Sequence, residues 1–538
     1  MEGTSFHEGS HNSVHAVSYY PNSISIYEPK SLLSLKMLLL HAIACVFFMV
    51  NVSAIGVSSR PDYLHPFGGL TMQLESYVKE HGPTEGLEAD LWFEQKLDHF
   101  TPSNTEVFSQ RYAMNKAYYG NNSLAFLLIS GDMAMIEHFI GYSFMGEEAR
   151  KWRAATFMLE HRFYGKTIPK GNLEMDSLKY LSSEQALTDI ANFITQMNTQ
   201  HGFKNPKWIV FGWGYAGSLA AWMRYRYPHL VYAAVASSAP LIANADFSGY
   251  FQEVSKALAT VEPKCADPIR DAFGIMSAGM KNKTKRAHYA GLFNLCEPLE
   301  DNKNDIAHLF QTISYTFAYV VEYRNQVEMP EISIEGACKI MTDETTKCPV
   351  HRLANWFMKF YWAACWDHRY STLLEYMKNT TARAYGNFRQ LYYQTCTEFG
   401  WWHHTSSKKS DTFSDKLSMD FYSNICKDAY DSRFNASFME SAARETNIHY
   451  GGTSLDVSRV LFVHGTWDPW ATLGITEEPP KGSIALYIKG VGHCADAFPS
   501  GPSSMVQIKK AQEKMSRILQ KWTRGKKQEP ENQSIFFF

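Results

Sequence analysis

The chain has 538 residues, 45% of them hydrophobic and 20% charged, a globular composition that excludes wholesale disorder. Its 52 Lys and Arg against 54 Asp and Glu leave a net charge of −2, without the basic stripe expected of a nucleic-acid-binding domain. At roughly 100–200 residues per domain, the length predicts two to four domains or one heavily decorated one.

Residues 38–50 (LLLHAIACVFFMV) form the only long apolar run near the start. A spanning helix needs about 20 apolar residues, so this run reads as the core of a signal peptide. Lys36 supplies the positive flank, and Val52-Ser53-Ala54 supplies small residues for cleavage after Ala54. Because 36 residues precede Met37, the alternatives are a start at Met37 or an uncleaved signal anchor. Cleavage is the reading taken, and it leaves no membrane anchor. Further upstream, His7, Glu8 and His11 make a formal H-E-x-x-H. Zinc ligation there requires a stable helix, which Gly9 and Ser10 oppose. No metal or cofactor is predicted.

Cys45 lies in the apolar run, leaving Cys265, Cys296, Cys338, Cys348, Cys365, Cys396, Cys426 and Cys494. Their even number and the lack of C-x-x-C pairs favour disulfides in an exported protein, with the connectivity left open. Acceptor sequons at Asn121, Asn282, Asn379, Asn435 and Asn532 agree with that route.

Residues 88–245 alternate apolar runs with amphipathic segments. Stretches 124–130, 155–160, 208–211 and 232–237 read as buried strands. Ser182 and Gln185 predict a capping box opening a helix whose apolar face is Leu187, Ile190, Ala191, Ile194 and Met197. This rhythm implies a parallel sheet with right-handed crossovers. Residues 246–445 are helical in pattern and hold seven of the eight remaining cysteines. Strands return at 460–463 and 484–488, followed by a helix over 506–522 and a polar tail expected to fray. The division is therefore an N-terminal extension (1–54), a first core part (55–245), a helical insert (246–445), a second core part (446–525) and a tail (526–538).

Gly212, Gly214 and Gly217 form a G-x-G-x-x-G between a strand and a helix read as starting at Ser218. A dinucleotide site also needs an acid about 20 residues on. The next strand ends Val235-Ala236-Ser237-Ser238, with no acid there. A nucleophile elbow, G-x-S-x-G, fits the context better, with Gly214 standing where the serine belongs. An acid and a base follow in α/β-hydrolase order, as Asp468 in His464-Gly465-Thr466-Trp467-Asp468-Pro469-Trp470 and His493 in Gly490-Val491-Gly492-His493-Cys494.

From about residue 92 to 522 the chain resembles the serine carboxypeptidase family of prolyl carboxypeptidase, dipeptidyl peptidase II and thymus-specific serine protease. The resemblance is carried by Glu160-His161-Arg162-Phe163-Tyr164-Gly165, Tyr180-Leu181-Ser182-Ser183-Glu184-Gln185, Ser237-Ser238-Ala239-Pro240, Cys396-Thr397-Glu398-Phe399-Gly400 and Asp468-Pro469-Trp470. It implies an α/β-hydrolase fold with a helical insert and a Ser–Asp–His triad cleaving peptides next to proline. Carried over by position, the acid is Asp468, the base is His493 and the nucleophile position is Gly214. The oxyanion donors are the backbone of Tyr215 and of the loop at Gly131-Asp132. Departures cluster at the same site: Ser130-Gly131-Asp132-Met133-Ala134 stands for Gly-Gly-Glu-Gly-Pro, His464-Gly465 for Asn-Gly, and Trp401-Trp402-His403 for an aromatic-Gln stretch.

Glycine has no side chain to acylate. The expectation is a secreted or lysosomal peptidase homologue that is catalytically silent or impaired and binds peptides, proline-containing ones among them. A homodimer is a candidate assembly. The alternative is an active serine-type exopeptidase rescued by Ser218 or another route.

Overall fold

The computed structural model describes residues 78–79 and 82–537, less 122, 325–329, 362–363, 382–386, 406–411, 478, 502–503 and 525–534. The signal segment, its cleavage site, the H-E-x-x-H motif and the Asn532 sequon lie outside the described residues.

Nine strands form one sheet: β1 (Leu87–Lys96), β2 (Val107–Asn115), β3 (Leu124–Ile129), β4 (Ala155–Leu159), β5 (Lys207–Trp213), β6 (Val231–Ser237), β7 (Val460–Gly465), β8 (Ile484–Ile488) and β9 (Ile535–Phe537). Their order is β1-β2-β4-β3-β5-β6-β7-β8-β9. β2 runs antiparallel to both β1 and β4, and the remaining pairs are parallel. Helices cover both faces. Leu127 and Ile129 enter one core while Phe126 and Leu128 enter the other. Burial on two sides is why these strands appear in the sequence as unbroken apolar runs. This is the α/β-hydrolase fold with a helical insert.

β1 and β2 carry no such run and were not anticipated. β1 alternates half-buried with exposed residues along most of its length, the pattern of an antiparallel edge with one wet face. At the other edge β9 pairs with β8, which corrects the expectation of a frayed tail. Ile535-Phe536-Phe537 are good strand formers in an otherwise polar segment.

The helix Ser183–Gln200 buries the predicted face. Its capping box is only half made. Ser182 Oγ accepts from the Gln185 N–H at 3.2 Å, but the Gln185 side chain turns away to Asp98 and the His99 N–H. Tertiary partners have outcompeted the local one.

Between β6 and β7 the insert runs from the helix Gly249–Val261 to the helix Ala436–Tyr450. Its buried side chains, Phe273, Phe310, Phe317 and Trp356 among them, continue the core of one sheet face. Three disulfides lie within it: Cys265–Cys338, Cys296–Cys365 and Cys396–Cys426. The even cysteine count does not carry through to four bridges, since Cys348 and Cys494 are free thiols. Cys494 is fixed in the buried loop after β8, while Cys348 stands at the N-cap position of an insert helix without a capping hydrogen bond. Cys265–Cys338 spans 73 residues. Replacing both with Ala is expected to cost roughly 4 kcal/mol by freeing that loop in the unfolded chain, read as a lower urea midpoint. Among the described residues, no helix is long and apolar enough to cross a membrane.

Candidate active site

β5 ends at Trp213, and Gly214, with φ of 60° and ψ of −128°, turns the chain directly into the helix Tyr215–Arg226. The helix thus starts three residues before the expected Ser218. A side chain at Gly214 would be strained by that positive φ. Strand and helix fold back so closely that their glycines are required. A Cβ on Gly212 would lie 2.0 Å from the Ala216 carbonyl oxygen, and one on Gly217 2.7 Å from that of Ser237. Ser218 is completely buried, and its Oγ donates to the Pro240 carbonyl at 2.8 Å.

The end of β6 gathers the other loops around this turn. The Gly214 N–H donates to the Ser237 carbonyl at 3.0 Å, and the Cys494 N–H to Ser238 Oγ at 2.8 Å. Gly131, after β3, packs against the first turn of the elbow helix, where its Cβ would sit 3.1 Å from the Ala216 nitrogen. Elbow, His493 loop and Gly131-Asp132 loop therefore converge.

Asp468 and His493 are each 2% exposed, with His493 Nδ1 2.9 Å from Asp468 Oδ1. Burial alone would raise Asp468, but the imidazoles of His493 and His464 outweigh it and hold the carboxyl well below its usual range. An ionised carboxylate only accepts, so the pair is an Nδ1–H donating to Asp468. Burial alone would lower His493. The Cys494 sulfur and the Asp468 carboxylate reverse that, and its proton affinity stands well above the ordinary value. The Trp470 N–H also donates to Asp468 Oδ1, at 3.1 Å.

Asp132 is 4% exposed, and burial pushes its carboxyl up to about 7 against the opposing pull of its own backbone N–H and of His493. An unfolded Asp loses its proton near pH ~4. Between about pH 4 and about pH 7 the folded chain therefore holds a proton the unfolded chain lacks, and this contribution to stability falls as pH rises. Asp132→Asn is expected to remove a decline of up to roughly 1.4 kcal/mol per pH unit, measured as urea midpoints across that window. Asp496, pushed up to about 6 by burial while accepting from Ser237 Oγ, adds a smaller decline of the same sign.

Behind the elbow, the sequence motifs meet in one buried network. His161 Nδ1 donates to the Arg162 carbonyl at 2.7 Å, leaving Nε2 to accept from the Tyr215 hydroxyl at 3.2 Å. Burial pushes His161 down to about 4, so it stays neutral. Gln394 Nε2 donates to Tyr215 Oη and to Glu398 Oε2, and Gln394 Oε1 accepts from Tyr164 at 2.6 Å. Glu398 accepts in turn from Ser183 N and Oγ. The orientation of Tyr215 is set by His161, 54 positions before it, and Gln394, 179 positions after it. Neither of two surface cavities, one at Glu85 and Arg150 and the other at Asp246, Glu440 and Arg444, is lined by site residues. Among the described residues, no group of three or more His, Cys, Asp or Glu could hold a metal ion.

A profile described as serine carboxypeptidase S28 matches residues 95–515. The chain belongs to this family. Thymus-specific serine protease of Mus musculus is 31% identical over 477 residues, covering 85% of this chain and 90% of its own. Lysosomal Pro-X carboxypeptidase of Homo sapiens is 28% identical over 451 residues, covering 81% and 88%. Among solved structures, an esterase of Pyrobaculum calidifontis aligns over 87% of this chain and 94% of its own, at 11% identity and a TM-score of 0.35. S28 membership identifies a serine peptidase family related to prolyl carboxypeptidase.

Two residues escaped the sequence reading. Gln394 had no local signal, since its partners are remote. Glu322 had one, a single acid closing the apolar helical run Ala318-Tyr319-Val320-Val321, and it proves to lie against the His493 loop.

Proposed function

We propose that this chain is a non-catalytic S28 homologue of the secretory pathway that binds peptides, proline-containing ones among them, at the cleft its relatives use for hydrolysis. Gly214 carries the reading. It occupies the strained turn between β5 and its helix, the place of the nucleophile in this fold, and offers no atom to acylate. In a serine protease, removing the nucleophile costs on the order of 10⁶ in turnover, with about 10³–10⁴ over water surviving from the oxyanion hole and binding. The oxyanion donors in this reading are the Tyr215 backbone and the Gly131-Asp132 loop. Ser218 makes a poor substitute, because it is buried one helical turn away with its hydroxyl donated to Pro240.

The persistence of Asp468 and His493 is not evidence of turnover. A buried pair of this kind is costly to break, since either partner alone is left stranded. Peptides are the ligand class implied by the family, and the name of the Pro-X carboxypeptidase relatives points to proline. Three disulfides, the signal-like segment and sequons on exposed Asn121, Asn282 and Asn435 support a secreted or lysosomal destination.

The deciding experiment exposes the natural secreted chain to a fluorophosphonate. No labelling is the expected result. Stoichiometric labelling means that another serine is activated, and the non-catalytic reading then fails.

A further inference from the structure

The insert does more than cover the core, because one of its helices ends on the candidate active site. The helix Lys303–Glu322 directs its last carbonyls at the His493 loop, and Glu322 O accepts the His493 N–H at 2.7 Å. A Cβ on Gly492 would lie 2.3 Å from Glu322 O and 2.8 Å from Val321 O, so this approach admits only glycine there. The negative end of a helix beside an imidazole favours its protonated form.

The Glu322 side chain reaches the partner loop. Its Oε1 accepts from Trp470 Nε1 at 3.0 Å, and Trp470 in turn directs its backbone N–H to Asp468. Its Oε2 accepts from the Tyr250 hydroxyl at 2.5 Å, from a second insert helix. The carboxylate is 4% exposed. Burial and the Asp468 charge hold its carboxyl above the ordinary carboxylate range, against the pull of the His493 charge and of the Tyr250 and Trp470 donors. No other side chain described above is bonded to the Asp468 loop while its backbone holds the His493 loop.

We propose that Glu322 is a positioning residue for the Asp468–His493 pair, carrying the placement of the insert to both loops through its carboxylate and its carbonyl. It touches no substrate. It fixes where Asp468 and His493 stand, and its charge adds to the field that holds the imidazole protonated. Asp468, Cys494, Asp132 and Asp496 face His493 from core loops, and Glu322 adds a charge from the insert. The proposal rests on the pair's geometry and holds whether or not the chain turns over substrate.

The test is proton NMR of the full secreted chain with labelled histidine, following the low-field Nδ1–H resonance and the His493 titration. Glu322→Gln keeps shape and removes charge, and it is expected to lower the His493 midpoint by about half a pH unit. Trp470→Phe keeps the carboxylate and severs its tie to the Asp468 loop, and is expected to speed solvent exchange of the Nδ1 proton at least about tenfold. A residue that merely fills space would change neither. If both variants fold with the natural midpoint and exchange rate, the proposal fails. Should Glu322→Gln not fold, Trp470→Phe alone decides. Neither readout uses Gly214 or hydrolysis, so fluorophosphonate labelling of the natural chain would sink the non-catalytic reading and leave this one standing.

Discussion

Serine at position 214 is expected to switch on fluorophosphonate labelling that the natural chain lacks, together with hydrolysis of proline-containing peptides. The variant would place a hydroxyl at the turn between β5 and its helix, beside the Gly131 loop. With His493 donating Nδ1–H to Asp468 at 2.9 Å, Nε2 is the nitrogen that would take the serine proton, above the pH at which the imidazole gives up its own. Regaining a nucleophile against an assembled base and oxyanion hole is worth roughly 10³-fold or more in turnover. The gain comes with a stability cost. A serine at φ 60° is strained by about 1–3 kcal/mol, so the variant should unfold at lower urea than the natural chain. Adding Ser218→Ala should leave the labelling intact. A folded variant that stays unlabelled would mean that the pair does not face position 214.

The second large effect concerns stability alone. Arg162 is fully buried, pairs with both oxygens of Asp189 at 2.6 Å and donates to the carbonyls of Leu97, Tyr180 and Lys96. Asp189 also faces His99 Nε2 at 2.8 Å. Removing one partner strands a buried charge, and Asp189→Ala or Arg162→Met is each expected to cost about 3–5 kcal/mol. The double variant Arg162→Met with Asp189→Leu should recover much of that loss, because no charge is left unpaired. Chemical denaturation reads both results. A loss under about 1 kcal/mol for either single variant would show that the pair is dispensable.

This ion pair shows that part of a sequence motif is structural. Glu160-His161-Arg162 resembles a functional motif when read along the chain. In the fold, Arg162 ties β1 to the helix Ser183–Gln200, Glu160 accepts from Thr167 and Arg111, and His161 orients Tyr215. Such residues are constrained by burial, whatever chemistry the cleft performs.

Legibility followed from how local each cause was. Strands β3 to β8 were readable because burial on both faces leaves an apolar run, whereas β1, wet on one face, was not. The helix Ser183–Gln200 was readable from its face, but the full capping box was not, because Asp98 and His99 lie 86 or more residues away. Gly214, Asp468 and His493 were legible as motifs in the right order. Glu322, Gln394 and Ser238 act through contacts between remote segments, 72 residues or more apart, and no spacing in the sequence announces those.

The chain by itself determined its fold class, its family and the residue at each motif position, because apolar periodicity, glycine turns and motif order are properties of neighbouring residues. Only the tertiary structure decided which cysteines stay free, that the last residues complete the sheet and that an insert helix ends on the His493 loop. Those outcomes depend on distances between segments far apart in sequence, and such distances are set by how the two cores pack.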